Sequence, residues 1–195
     1  MLREKLSNHH IILASGSPRR QQFFKDMGLD FEVRLKSVKE VYSPELKAAE
    51  ISDYLAKLKA EGFKNDLKPS EILITSDTVV WYNNESLAKA ANKDEAVIML
   101  TKLSGDWHQV ITSVCFTTVK EQIIEHSITE VKFKDLALEE IQFYIEKYEP
   151  FDKAGAYGIQ EWIGLIGIEQ IKGSYTNVVG LPTQMVYNTL LKMSK

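Results

Sequence analysis

Short apolar runs alternate along the chain with stretches whose apolar positions keep helical spacing. His10-Ile11-Ile12-Leu13-Ala14 has the length and character of a buried strand, and it runs into the small turn residues Ser15-Gly16-Ser17. Pro18 suits the first position of a helix, which continues through Phe23, Phe24 and Met27 and is closed by Gly28. Phe31, Val33 and Leu35 then alternate as a strand. Ile51, Tyr54, Leu55 and Leu58 fall at i, i+3, i+4 and i+7, which predicts an amphipathic helix of about four turns. Glu71 to Val80 reads as a strand whose buried run, Ile72-Leu73-Ile74, is interrupted by polar Thr75-Ser76-Asp77-Thr78. Asn92, with Glu95 three residues on, predicts the cap of a helix that carries Ala96, Leu100 and Leu103 and ends at Gly105.

Two strands, roughly 108–119 and 122–134, are parted at Lys120-Glu121 and read as a hairpin. Leu138, Ile141, Ile145 and Tyr148 mark a further helix, and Pro182 opens a last one through Val186, Leu190 and Met193. Strands mixed with helices, one hairpin among them, predict an α/β fold: a mixed β-sheet flanked by helices. There is neither an internal repeat nor a low-complexity linker, so the reading is a single domain over 1–195.

Composition narrows the classes. A chain of 195 residues buries roughly 70% of the surface its unfolded form exposes, enough for a core. With 44% apolar and 26% charged residues, neither disorder nor a membrane class is indicated. The 24 basic and 27 acidic residues leave a net charge of −3, which argues against nucleic acid as a bulk electrostatic partner but not against a small anion in a local basic pocket. The single cysteine, Cys115, cannot form an internal disulfide and lies in an apolar strand, so it reads as a core residue in a reducing compartment. No apolar stretch approaches the ~20 residues of a spanning helix, and Ile11 to Ala14 is too short for a secretory core. These features predict a soluble, cytoplasmic protein.

Four segments carry candidate chemistry. In Leu13-Ala14-Ser15-Gly16-Ser17-Pro18-Arg19-Arg20 a strand feeds a small-residue turn and then a helix N-terminus, whose free N–H groups and dipole favour an anion. Arg19 and Arg20 add fork-shaped donors for phosphate oxygens, though an ordinary turn with solvated arginines fits equally well. The segment is neither a Walker loop nor a dinucleotide fingerprint. Asp77 interrupts an apolar strand, and a buried carboxylate needs a cation or metal beside it; a turn-closing edge Asp is the alternative. Lys59, next to the apolar stripe, and Lys89, in Leu87-Ala88-Lys89-Ala90, read in isolation as solvated lysines, and Glu40 is equally plain. In the segment Phe151-Asp152-Lys153-Ala154-Gly155-Ala156-Tyr157-Gly158-Ile159-Gln160 the small residues permit close backbone approach, and the Gln160 amide can donate and accept; a buried turn is the alternative.

Taken in order, Ser15-Gly16-Ser17-Pro18-Arg19-Arg20, Ser76-Asp77-Thr78-Val79-Val80, Leu103-Ser104-Gly105 with His108 and Thr112, Asp152 to Gln160, and Gly173-Ser174-Tyr175 with Val179-Gly180-Leu181-Pro182 resemble the signature of the Maf proteins over essentially the whole chain. The resemblance implies a nucleoside triphosphate pyrophosphatase of the mixed α/β fold shared with inosine triphosphate pyrophosphatases, often dimeric and dependent on a divalent metal, Mg or Mn. It implies Asp77 as general base, Glu40, Lys59 and Lys89 as its companions in the catalytic pocket, and Glu40 with Asp77 as metal ligands. Arg19, Thr78 and Gln160 match positions that choose the base, and Ser15, Arg20 and Lys153 complete the expected substrate contacts. The Asp152 to Gln160 form resembles the branch that takes dTTP and UTP. Departures are Lys39 where an acidic residue commonly precedes the Glu, Ser76 for Ala, Ala88 and Ala90 for Gly and Pro, and Glu161-Trp162 where a glycine usually follows the Gln.

The expected reaction is attack of water on the α-phosphorus with departure of pyrophosphate, a role that extends to clearing non-standard pyrimidine nucleotides. Two other classes remain open: a nucleotide-binding regulator of cell division with little or no turnover, and a phosphatase or kinase of another α/β type. Monophosphate plus pyrophosphate, no turnover, or free phosphate distinguish the three.

Overall fold

A computed structural model describes residues 1–194; Lys195, the last residue of the domain read over 1–195, lies outside the described residues. The chain forms α1 (Leu2–Lys5), β1 (His10–Leu13), α2 (Pro18–Asp26), β2 (Glu32–Val33), α3 (Ala49–Glu61), β3 (Glu71–Tyr82), β4 (Glu85–Leu87) and α4 (Lys93–Leu103). It continues with β5 (Trp107–Thr117), β6 (Gln122–Phe133), α5 (Leu138–Tyr148), a 3₁₀ turn (Pro150–Asp152), α6 (Trp162–Gly167), β7 (Ile168–Lys172), α7 (Tyr175–Val179) and α8 (Thr183–Met193). The strands form one seven-stranded sheet in the order β2-β1-β3-β5-β6-β7, with β4 pairing to β3 off this path. β1 is parallel to β2 and β3, and every other pairing is antiparallel. The sheet is mixed and flanked by helices, as the pattern predicts.

Local signals set the boundaries. Pro18 opens α2, and Gly28 just beyond its end takes the left-handed conformation at φ +68°. Asn92 caps α4 by accepting the Glu95 N–H at 2.9 Å, while Glu95 reaches back to the Ala91 N–H. The hairpin of β5 and β6 pairs Thr117 with Gln122, and the Thr118 hydroxyl accepts from the Lys120 and Glu121 N–H groups in the turn. Of the strand expected across Phe31, Val33 and Leu35 only Glu32–Val33 pairs, because β1 offers just Ile12 and Leu13 as partners there.

The sheet separates two cores. On one face Ile12, Leu73 and Cys115 pack beneath Ala56, Ala60 and Phe63 of and after α3. On the other, Ile72, Ile74, Val114 and Phe116 meet Phe24 of α2 and Val186 and Leu190 of α8. Farther along that face Val80, Val110 and Val131 pack with α4 and α5. Cys115 is buried in the first core, and burial pushes its thiol up, so it is an inert packing residue. No helix among the described residues is long and apolar enough to cross a membrane.

Candidate active site

β3 carries β5 along one edge from Leu73 to Trp81. Its other edge is shared by two short strands, β1 at Glu71–Ile74 and β4 at Val80–Tyr82. Between them residues 75–79 have no strand partner on that side, and the sheet splits. Strand alternation sends Thr75, Asp77 and Val79 toward α3 and Ser76, Thr78 and Val80 to the opposite face. The polar interruption in an otherwise apolar strand therefore falls at the split, where backbone and side chains can meet a ligand.

On the α3 side, Thr75 donates to the Ala56 carbonyl at 2.6 Å, fixing the strand against the helix. One turn on, Lys59 Nζ lies 2.6 Å from Asp77 Oδ1 and 3.1 Å from Glu40 Oε1. Glu40 comes from the irregular loop before α3 and is about half exposed, whereas Asp77 is buried. Burial pushes the Asp77 carboxyl above its ordinary range; the Lys59 ammonium and the Arg20 guanidinium pull against it, and the Glu40 charge adds to the rise.

Arg20 closes the split itself. Its Nε donates to the Gly180 carbonyl at 2.8 Å, Nη1 to the Ser76 carbonyl at 2.9 Å, and Nη2 to Thr78 Oγ1 at 2.9 Å, while Ser15 Oγ stands 3.5 Å from Nη1. It replaces the missing strand as partner of β3. Burial lowers its guanidinium, and the Asp77 and Glu40 charges oppose that. Arg19, one residue back, makes only a long contact to Asp152 Oδ2 at 3.4 Å. Thr78 continues inward through Thr112 Oγ1 at 2.9 Å, which in turn donates to the Asn177 carbonyl at 3.1 Å. Asn177 is fully buried, its amide donating to the Val110 carbonyl at 2.9 Å and to Thr129 Oγ1 at 2.8 Å.

The loop after α5 forms the far wall. Gly155, at φ +69°, comes so close to β3 that a Cβ there would lie 3.0 Å from both Val80 methyls. Its N–H donates to the Leu87 carbonyl at 2.9 Å, and Lys89 bridges to Ala154, so β4 and this loop hold one another. Lys153 is buried, with Nζ at 2.7 Å from Asp152 Oδ1 and 3.1 Å from Glu161 Oε1. Tyr157 is backed by His108, whose Nε2 lies 2.6 Å from the phenol oxygen; burial holds the imidazole down at about 3, so it is neutral.

These elements enclose a cleft of about 400 Å³. Arg19, Arg20, Glu40, Lys59, Asp77, Thr78, Lys89 and Lys153 all line it, and Val80, Leu87, Val110, Tyr157 and Val178, which pack in one hydrophobic cluster, give it an apolar slot. Ser15 lies instead in an adjoining hollow of about 380 Å³, with Gly16, Ser37 and Ser76, which meets the cleft at Arg20, Glu40 and Lys59. Ser76 Oγ is buried there without a hydrogen-bond partner. Gln160 is not brought to either wall: it is exposed, and its Nε2 lies over Gly158. Tyr42 and Ser86 also line the cleft, from segments without periodicity that carry no signal in the sequence, and so does Asp152, whose signal is its place beside Lys153 in the glycine-spaced segment.

Glu40 and Asp77 share one ammonium, and no group of three or more metal-ligating His, Cys, Asp or Glu side chains occurs among the described residues. Two carboxylates fall short of a closed metal cage. They fit a hard divalent cation that takes its other ligands from phosphate oxygens and water.

Proteins called dTTP/UTP pyrophosphatase from Flavobacterium psychrophilum, Flavobacterium johnsoniae and Christiangramia forsetii are 60%, 58% and 54% identical to the chain; they align with 98%, 97% and 99% of it and each with 98% of its own length. Among solved structures, the Staphylococcus aureus Ham1 protein matches at 16% identity and TM-score 0.48, over 65% of this chain and 72% of its own. A nucleoside-triphosphatase / dITP/XTP pyrophosphatase from Mycobacterium abscessus matches at 12% and 0.43, over 95% and 96%. The Maf-like protein model matches residues 10–193. With nearly its whole length matched, the chain belongs to the Maf family.

Proposed function

We propose that the protein hydrolyses dTTP and UTP to the nucleoside monophosphate and pyrophosphate. The observation that carries this reading is the buried Asp77 at the split of the sheet, paired with Lys59 and Glu40 and facing a cleft rimmed by Arg19, Lys89 and Lys153. The names of its relatives, at 54–60% identity over nearly full length, supply the substrate class.

The nucleoside occupies the apolar slot, and the phosphate chain runs past Asp77 toward Ser15 and Gly16. Asp77, its carboxyl raised by burial, accepts a proton from the attacking water. The water oxygen bonds to the α-phosphorus as the bond to the oxygen bridging to the β-phosphorus breaks. Lys59, Lys89 and Arg19 offset the charge that moves onto the leaving pyrophosphate. The unpartnered Ser76 Oγ and the Ser15 hydroxyl offer contacts to phosphate oxygens or water. Glu40 and Asp77 would hold a Mg or Mn ion, which supplies charge neutralisation along the phosphates. Gln160 is assigned the pyrimidine edge by its place at the end of the Asp152 to Gln160 segment; it is exposed and lies on neither wall, so that contact requires the segment to move toward the slot on binding. A cytosolic homodimer belongs to the same reading.

The test is a panel of nucleoside triphosphates assayed for pyrophosphate release with and without Mg or Mn. Pyrophosphate and monophosphate from dTTP and UTP, in preference to dCTP and the purine nucleotides, are expected. Free phosphate as product, no turnover, or equal kcat/KM across the panel refutes the reading.

A further inference from the structure

Behind Arg19 and Lys153 on the cleft wall lies a connected set of polar side chains, of which the proposed chemistry leaves Asp152, Glu161 and Tyr144 unused. Tyr144 of α5 is fully buried, and its hydroxyl donates to Glu161 Oε2 while accepting the Gly158 N–H at 3.0 Å. Glu161 Oε1 stands 3.1 Å from Lys153 Nζ, Lys153 reaches Asp152 Oδ1 at 2.7 Å, and Asp152 Oδ2 meets Arg19 at 3.4 Å. The path runs from a surface helix to two cations on the cleft. Glu161 fits tightly: a Cβ on Gly158 would lie 2.8 Å from its Cδ, so its carboxyl fills the space that glycine leaves.

The two carboxylates on Lys153 differ in kind. The Asp152 side chain is 62% exposed and shared with Arg19, so an incoming anionic or carbonyl oxygen can displace it. That of Glu161 is 19% exposed and held by the phenol, so its grip on the ammonium persists when Asp152 lets go. A lysine on a flexible stem gains direction from such an anchor, and a contact made by an oriented ammonium loses less entropy than one made by a free side chain.

We infer that Glu161, pinned by Tyr144, is a positioning residue that aims Lys153 into the cleft and so sets nucleotide affinity. The inference rests on Lys153 contacting the nucleotide, as in the function proposed above. It assigns a task to a residue that departs from the Maf signature, in which a glycine usually follows the Gln.

The test is calorimetric binding of α,β-imido-dTTP, an analogue that resists cleavage at the reacting bond, beside steady-state kinetics with dTTP. Glu161→Gln keeps the size and the acceptor for Tyr144 but removes the charge, and it should weaken analogue binding about tenfold, the scale of one charge-assisted hydrogen bond. The loss should fall on KM rather than kcat. Tyr144→Phe should act in the same direction, about threefold, and supports the case even if the Gln variant folds poorly. In a Lys153→Met background, Glu161→Gln should change binding less than about twofold, since the path then has no end. A purely structural role for Glu161 predicts an equal loss in both backgrounds, and that result overturns the inference, as does unaltered binding in the single variant. Wild-type protein that binds the analogue but releases no pyrophosphate refutes the catalytic reading and leaves this comparison decisive; wild-type protein that does not bind it overturns both.

Discussion

Lys59 in the last turns of α3 meets Asp77 at the centre of β3, with 2.6 Å between Nζ and Oδ1. The contact joins the helix to the strand at the one stretch of β3 where an edge lacks a neighbour. It also places the most deeply buried carboxylate of the cleft under direct control of one cation. Glu40 shares that cation at 3.1 Å from an exposed loop, so the charge around Asp77 can be redistributed when a ligand arrives.

Asp77→Asn should lower turnover of dTTP by about a hundredfold or more, the usual scale for loss of a general base. The fold should not suffer. A carboxyl raised by burial takes its proton more readily folded than unfolded, so it favours the folded state below its unfolded value of 3.8 and loses that advantage as pH rises. A neutral amide is free of this cost, and Tm at neutral pH should hold or increase. Retention of most of the wild-type rate, with pyrophosphate release as readout, removes Asp77 from the chemistry.

Lys59→Met takes away the nearest charge that lowers the Asp77 carboxyl. Its pKa should climb further, and because the base must be deprotonated, the acid limb of kcat/KM should move to higher pH. The matching measurement is a pH–rate profile of both proteins. An acid limb that stays in place while the overall rate falls would mean that Lys59 acts on the phosphates alone.

Much of this was legible in the sequence because strong periodicity and caps agree with packing. The stripe through Ile51, Leu55 and Leu58 sets α3, and Asn92 sets the start of α4. The elements that were missed are short: β4 has three residues and α7 five, too few for either period to register. β7 exists because β6 offers it an edge, and its residues are mostly exposed, so no apolar alternation announces it. At the site, Asp77 and Arg20 stood out by type and place. Sequence spacing carries no sign of which arginine faces the ligand, since that depends on Gly180, 160 residues away.

The two arginines should separate cleanly. Arg20 spends Nε, Nη1 and Nη2 on Gly180, Ser76 and Thr78, so Arg20→Ala leaves buried acceptors unpaired and should cost about 3 kcal/mol of stability. Arg19 has only the long contact to Asp152. Arg19→Ala should leave Tm within about a degree or two and raise KM for dTTP about tenfold. Thermal unfolding and kinetics on both variants check this; equal Tm losses would contradict the division.

Acid stability should turn on His108. Its imidazole is buried between Phe133 and Tyr157, Nε2 bonded to the Tyr157 phenol, and burial depresses it from 6.5 to about 3. The folded protein therefore refuses a proton that the unfolded chain accepts. For a group with a depressed folded pKa, stability is present above the unfolded value and is lost as pH falls toward the folded one. The window runs from about pH 6.5 down to about 3, with a slope approaching about 1.4 kcal/mol per pH unit. His108→Gln retains a side chain able to bond the phenol but cannot be protonated. The stability difference between wild type and variant, from urea unfolding, should shrink by about 2 kcal/mol between about pH 7 and about pH 5. Carboxylates common to both proteins cancel in that difference. Because the folded protein keeps His108 neutral across this window, the Tyr157 wall of the cleft keeps its form, and the pH dependence should appear in stability and not in KM. A stability difference that stays flat with pH would mean that His108 carries its proton in the folded state, and that the neutral imidazole at the back of the cleft is a wrong assignment.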